Sequence, residues 1–135
     1  MASITAIRNA IASQLSLISS LNVYSSVSDS VMVPAAIVGI PQSIEYDYTF
    51  RSANLKMIIP IRVLAARIQE DYAQEALDAY ISYEGASSIP LSLGLDTQLS
   101  ASVQTSRITE ARNYGVYEVE GISYLGVEFL LEVIA

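Results

Sequence analysis

The side chains with which this chain could do chemistry are carboxylates, hydroxyls and tyrosines. The 135 residues include 14 acidic and 7 basic side chains, but no Cys and no His. The lack of cysteine excludes disulfides, thiolate nucleophiles and zinc–thiolate sites, and it leaves the redox compartment open. The lack of histidine removes the commonest general base and transition-metal ligand, so a Ser/His/Asp triad cannot form within the chain.

The acidic residues do not form a catalytic or metal-binding pattern. They cluster loosely in three pairs: Glu45 and Asp47, Glu70 and Asp71, and Glu118 and Glu120. None of these pairs has the spacing of a calcium loop, and no spacing selects a carboxylate pair of the kind that glycosidases use. Phosphate-binding glycine loops and Gly-x-Ser-x-Gly motifs are absent from the sequence. We therefore expect a protein that is not an enzyme and uses no metal or cofactor.

Charge and hydropathy narrow the class of partner. The formal net charge is -7 and the chain has one lysine with scattered arginines, so nucleic-acid binding is not expected as its main function. The chain is 52% hydrophobic and 16% charged, yet no run of about 18 apolar residues could form a transmembrane helix. The N-terminus also lacks the layout of a signal peptide. A chain with many hydrophobic and few charged residues is expected to bury part of its surface against other subunits.

Tyrosine is the most informative residue type, with nine Tyr against two Phe and no Trp. Tyrosine combines an apolar ring with a polar tip and is enriched at protein interfaces. Tyr46, Tyr48 and Phe50 alternate along the segment Pro41–Ala53, and Arg51 follows them. Alternation would place the three rings on one side of an extended arm. This arm either packs back on its own domain or contacts a partner or a neighbouring subunit.

Two amphipathic helices are predicted. In Ser3–Ser20, apolar residues recur every three or four positions, and Ser3 is a suitable N-cap. The opposite face of this helix carries little charge, which fits either a solvated serine-rich face or a subunit contact. The second helix spans Gln69–Tyr83 and ends before Gly85. Its apolar stripe consists of Ile68, Tyr72, Ala76 and Tyr80, with Ala73 and Leu77 beside it. A short third helix is predicted within Ser87–Leu99, with Ser88 as its cap.

Alternating apolar residues predict the strands. The segment Asn54–Ala66 forms a long strand, and Pro60 places that strand at an edge or at a bulge. Short strands are expected at Leu21–Tyr24 and Ala35–Ile40. Val103–Val119 and Ile122–Ile134 form a C-terminal hairpin, with Gly115 at a bulge or close approach. The order predicts a single α+β domain over residues 1–135: a mostly antiparallel sheet of four to five strands with two main helices on one face.

Several segments along the chain form a pattern typical of one protein family. They are the N-terminal amphipathic helix, the strand at Pro34–Val38, the stretch Tyr46–Arg51 leading into Met57–Val63, the helix Asp71–Tyr80, the Ser-Ile-Pro segment Ser88–Pro90 and the C-terminal hairpin segment Arg107–Phe129. In these segments, which cover nearly the whole chain in order, the sequence resembles the tail-terminator proteins of long-tailed bacteriophages.

This resemblance implies a structural protein of the virion, assembled in the host cytoplasm. Such proteins form hexameric rings that cap the tail tube, stop its polymerisation and join the tail to the head connector. The implied partners are further copies of the chain, the tail tube protein and the head–tail connector or adaptor protein, and DNA only passes through the channel. The candidate contacts are the Tyr46–Arg51 loop, with Tyr46, Tyr48, Phe50 and Arg51, and the Ser25–Val31 loop.

Two alternatives remain at this point. The chain could be another neck component, such as a head–tail connector adaptor or a minor tail protein, because those proteins share its size and pattern. It could also be a small enzyme or ligand-binding module unrelated to phage, which would be a monomer or dimer with a polar pocket.

Overall fold

In the part of the chain that the structure describes, one helix and four strands are followed by two helices and two long strands. A computed structural model describes residues 3–18, 21–25, 32–46, 55–67, 71–83, 85, 87–95, 97–99, 103–119 and 121–134. In chain order, the elements of this part are α1 (Ile4–Leu15), β1 (Asn22–Tyr24), β2 (Ala35–Val38), β3 (Ser43–Tyr46), β4 (Leu55–Arg67), α2 (Ala73–Ile81), α3 (Ile89–Gly94), β5 (Thr105–Val119) and β6 (Ile122–Ile134).

The strands form one mostly antiparallel sheet in the order β1-β2-β4-β6-β5, with β3 also paired to β4. The pair β1·β2 is parallel and the other pairs are antiparallel. The predicted α+β class and C-terminal hairpin are confirmed. The sheet has six strands in place of four to five, because Ser43–Tyr46 pairs with β4 inside the segment that was predicted to be a connection.

The core lies between the helices and one face of the sheet. The alternate residues of β6 predicted for this face are buried, from Leu125 to Val133, and they meet the equally buried set of β4. Helix α1 adds Ile7, Ile11 and Leu15, which are fully buried. Burial of about 25 cal/mol per Å² of apolar surface makes this layer the main source of stability.

Helices α1 and α3 start directly after their predicted caps, and α1 ends earlier than predicted. The Ser3 hydroxyl accepts a hydrogen bond from the Ala6 amide at 3.1 Å, which confirms the predicted cap of α1. The helix ends at Leu15, and the Ser16 hydroxyl bonds to the carbonyl of Ala12. Such bonds from serine to the preceding turn compete with continued helix. The third predicted helix is confirmed as α3, with Ser88 as its cap.

Helix α2 begins later than predicted, but it buries residues of the predicted apolar face. The helix begins at Ala73, so Tyr72 precedes it and is 57% exposed. The buried positions are Tyr80 of the predicted stripe and the two residues predicted beside it, Ala73 and Leu77. Ala76 of the stripe is partly buried against the core. The remaining member of that stripe before the helix, Ile68, lies outside the described residues.

Pro60 lies in the middle of the sheet, so its predicted edge position is wrong. On one side β4 pairs with β6, and on the other side β2 ends opposite Ile61 and β3 begins opposite Ile58. The Gly39 amide donates to the carbonyl of Pro60 at 2.8 Å. The amide and the carbonyl of a strand residue point to the same neighbouring strand. Since the Pro60 carbonyl points to Gly39, the missing N–H of Pro60 lies where β2 has ended and β3 has not yet begun, and no strand hydrogen bond is lost there. The bulge of β4 lies further on, between Leu64 and Ala66.

The terminal hairpin is bent by irregularities in β5. Its pairing with β6 shifts between Ile108 and Glu110 and again between Arg112 and Gly115. The second shift contains Asn113 with a φ of 56° and confirms the bulge predicted at Gly115. Bulges increase strand twist and bend, so the far end of the hairpin turns out of the plane of the sheet.

Candidate functional site

The second face of the sheet, which we call the open face, is covered by none of the helices that the structure describes. Cross-strand partners lie on the same face of a sheet, so the register assigns the members of this face. From β4 they include Ile58, Pro60, Arg62 and Leu64, and from β6 they include Tyr124, Glu128 and Leu130. The face therefore mixes apolar and charged side chains, whereas the residues of β4 and β6 that face the helices are apolar from Leu55 to Val63 and from Leu125 to Val133.

An apolar groove of about 230 Å³ lies on the open face. Its lining comes from β2 and the following turn, from β4, from β6 and from the end of β5: Ile37, Gly39, Ile40, Pro60, Arg62, Val119 and Glu128. Ile40 is 69% exposed at its rim. The groove has room for one large side chain of a partner, and Arg62 adds a positive charge beside it.

The bent end of the hairpin forms one wall of this groove. The ring of Tyr117 in β5 packs directly against the backbone of β6 at Gly126, where a side chain would obstruct it. The side chain of Leu64 also lies next to Gly126 and is fully buried, although Leu64 belongs to the open face. The hairpin end therefore covers part of the open face and leaves the groove beside Val119 accessible.

A row of charges crosses three strands next to the groove. Arg112 donates from Nε to Oε1 of Glu128 at 2.9 Å, and its second guanidinium nitrogen lies at the same distance from that oxygen. Across β6, the guanidinium of Arg62 lies 5.1 Å from the centre of the Tyr117 ring, a cation–π arrangement. Glu128 is thereby engaged by Arg112, while Arg62 stays exposed at the groove.

Burial raises the pKa of the Tyr117 phenol within this row. The charge of Glu128 raises it further, whereas Arg62 and Arg112 act in the opposite direction. The phenol donates to the carbonyl of Asn113 at 2.8 Å and so holds the bulge of β5. These groups fix the shape of the groove and can bind a partner through apolar contact and the charge of Arg62.

A second apolar surface lies on the helix side, between α1 and α3. Leu17 and Leu95 are about three-quarters exposed, and Leu91 is also exposed. They surround a shallow groove of about 170 Å³ whose described lining contains no charged residue. Gln14 donates to the carbonyl of Ser92 at 2.8 Å and joins the two helices beneath it. This surface fits an apolar partner.

Of the predicted contact residues, Tyr46 alone falls in the described part of the chain. It ends β3, pairs with Leu55 and is 71% exposed. Tyr48, Phe50 and Arg51 lie outside the described residues, as does the Ser25–Val31 loop apart from Ser25. The two grooves were missed at the sequence level, although the apolar residues at alternate positions of the second face of β4 were a signal for one of them.

One member of each acidic pair of the sequence, Asp47, Glu70 or Glu120, lies outside the described residues. Among residues 3–134, with the gaps given above, no three acidic side chains are close enough to hold a metal ion. Within the same described part, no helix is both long and apolar enough to cross a membrane. Comparison with models of known protein families and with curated proteins gave no match to the chain.

Proposed function

We propose that this chain is a structural protein of the neck of a long-tailed bacteriophage, acting as a tail terminator. The observation that carries the proposal is large apolar side chains exposed on separate sides of the subunit. Leu17 and Leu95 lie at the helix ends, Ile40 on the open face, Tyr46 at the end of β3 and Val116 at the bend of the hairpin.

Apolar surface on several sides is what a subunit of a closed ring needs. In a cyclic ring, one patch of each copy contacts a different patch of the next, so two lateral surfaces are buried. Contacts with rings above and below bury further surface. Exposed apolar patches on a monomer otherwise favour aggregation, and assembly removes them from water.

The partners follow from this role. Copies of the chain form the ring, the tail tube protein lies on one side, and the head–tail connector or adaptor protein lies on the other. DNA passes through the channel, and the net charge of -7 fits a passage that does not hold phosphate tightly. The ring would assemble in the host cytoplasm and remain in the virion, with no catalytic step.

Electron microscopy of the purified protein, alone and mixed with tail tubes, tests the proposal. We expect rings, either free or on tube ends, and tubes that stop growing once a ring has bound. Tubes that elongate at the normal rate in an excess of the protein would refute the terminator role. Binding to the head connector in place of the tube end would assign the chain to another part of the neck.

A further inference from the structure

The basic residues of this acidic chain are concentrated on the open face. Five of the seven belong to it by strand register: Lys56, Arg62, Arg67, Arg107 and Arg112. Among the acidic residues that the structure describes, those assigned to the same face are Glu45, Glu110, Glu128 and Glu132. The described part of the open face is therefore close to neutral with a slight positive excess, in a molecule whose net charge is -7.

The helix side has the opposite character around α2. Asp71, Glu75 and Asp78 are exposed on α2 and the turn before it, and no basic residue lies between positions 68 and 106. Two exposed tyrosines, Tyr72 and Tyr83, flank these carboxylates. This surface, which we call the acidic α2 surface, thus presents aromatic rings beside negative charge.

We infer that the open face of one copy docks on the acidic α2 surface of the next copy. The apolar groove with Arg62 at its side matches an aromatic ring with a carboxylate beside it, in both shape and charge. The two surfaces lie on opposite sides of the sheet, so each copy can use both at once, as a head-to-tail ring requires. This inference rests on the proposed function and names the lateral contact of that ring.

A nucleic acid fits the open face less well than an acidic protein surface does. Phosphate binding needs a continuous positive surface, and here Glu128 and Glu132 lie between the arginines of β4 and β5. The groove also buries apolar surface that a phosphate backbone would not fill. The open face therefore favours a protein partner.

A charge exchange tests the pairing. Arg62→Glu and Glu75→Arg each place like charges across the proposed contact, and we expect each to weaken self-association at least tenfold. The double variant Arg62→Glu/Glu75→Arg restores opposite charges and should recover assembly. Sedimentation velocity with purified protein at low ionic strength measures the association, and circular dichroism checks the fold of each variant. Gln98→Glu, which adds a negative charge at an exposed position outside both surfaces, is the control and should assemble normally.

The outcomes separate the inference from the proposed function. Wild-type rings together with normal assembly of both single variants would overturn the pairing and leave the ring intact. Failure of the double variant to recover, with its fold unchanged, would also overturn it. Loss of duplex DNA binding in Arg62→Glu with normal assembly would assign the open face to nucleic acid and reject the pairing. Wild-type protein that stays monomeric with and without tubes would overturn both proposals.

Discussion

Gly115 and Gly126 lie directly opposite each other in the β5–β6 hairpin, but Gly115 has room for a side chain and Gly126 has none. A Cβ at Gly126 would lie 2.5 Å from the carbonyl oxygen of Val63 and 2.9 Å from the ring of Tyr117. A Cβ at Gly115 would meet no atom within 4 Å. The close approach that bends the hairpin over the open face thus depends on the glycine of β6.

The pair gives a matched test of this arrangement. Gly126→Ala forces the backbone of β4 and the Tyr117 ring apart, and we expect a loss of about 2 kcal/mol or more in unfolding free energy. Gly115→Ala meets no obstacle and restricts the unfolded chain, so its effect should be neutral or a gain of up to about 1 kcal/mol. Urea unfolding followed by circular dichroism measures both. Equal losses in the two variants would contradict the close approach.

The ion pair between Arg112 and Glu128 should add to the stability of the hairpin. Glu128 is 13% exposed, so Glu128→Gln leaves Arg112 without its charged partner at a poorly hydrated position. We expect a loss of about 1 kcal/mol, less than for a fully buried pair because the Arg112 side chain is 39% exposed. Glu110→Gln, at an exposed position of β5, should change stability by less than about 0.5 kcal/mol in the same urea experiment. A Glu128→Gln variant as stable as this control would show that the pair contributes nothing.

Alkaline pH should weaken the contact between the hairpin and α2. The Tyr114 phenol donates to Oδ1 of Asp78 at 3.0 Å. Burial, then the hydrogen bond and charge of Asp78, raise the pKa of Tyr114 above its ordinary value of 10.0, against a lowering by Gln74. Because the folded state holds this proton more tightly, its stabilisation is present below pH 10.0 and is lost as the pH rises through the folded pKa.

Unfolding free energies measured between about pH 9 and 11 test this dependence. The wild type should lose stability over this range, and Tyr114→Phe should lose less because it has no proton to release. Asp78→Asn should also flatten the curve, since it removes the charge that opposes the phenolate. Identical slopes in the wild type and Tyr114→Phe would rule out a role for this phenol. Tyr80 and Tyr117, whose pKa values are raised by burial, also contribute to the slope.

Much of the fold follows from local patterns. Each of the strands β4 and β6 has one face in the core, so every second residue is apolar. This alternation predicted the length and the buried face of both strands. Ser3 and Ser88 predicted two helix starts because capping is decided within four residues. These features depend on neighbours in sequence, so a single chain is enough to predict them.

The features that failed depend on contacts between distant segments. Four residues of β3 have no strong strand pattern, and their pairing with Leu55–Ile58 decides their structure. Pro60 is tolerated in the middle of the sheet because β2 ends and β3 begins opposite it. The groove of the open face requires the bent hairpin to bring Val119 to Ile37. Alternation predicted which residues share a face, but it carries no information on how that face bends.

The exposed ring of Tyr46 is the described part of the arm that the sequence predicts to contact a partner. Since it is 71% exposed, Tyr46→Ser should leave the unfolding free energy within about 0.5 kcal/mol of the wild type. If the arm is a contact, the same change should reduce assembly on tail tubes, and Tyr48→Ala combined with Arg51→Glu should reduce it further. Ser43→Ala at the start of β3 is the control. Stable variants that give normal rings and infective particles would remove the arm from the interface and leave the lateral contact to the two sides of the sheet.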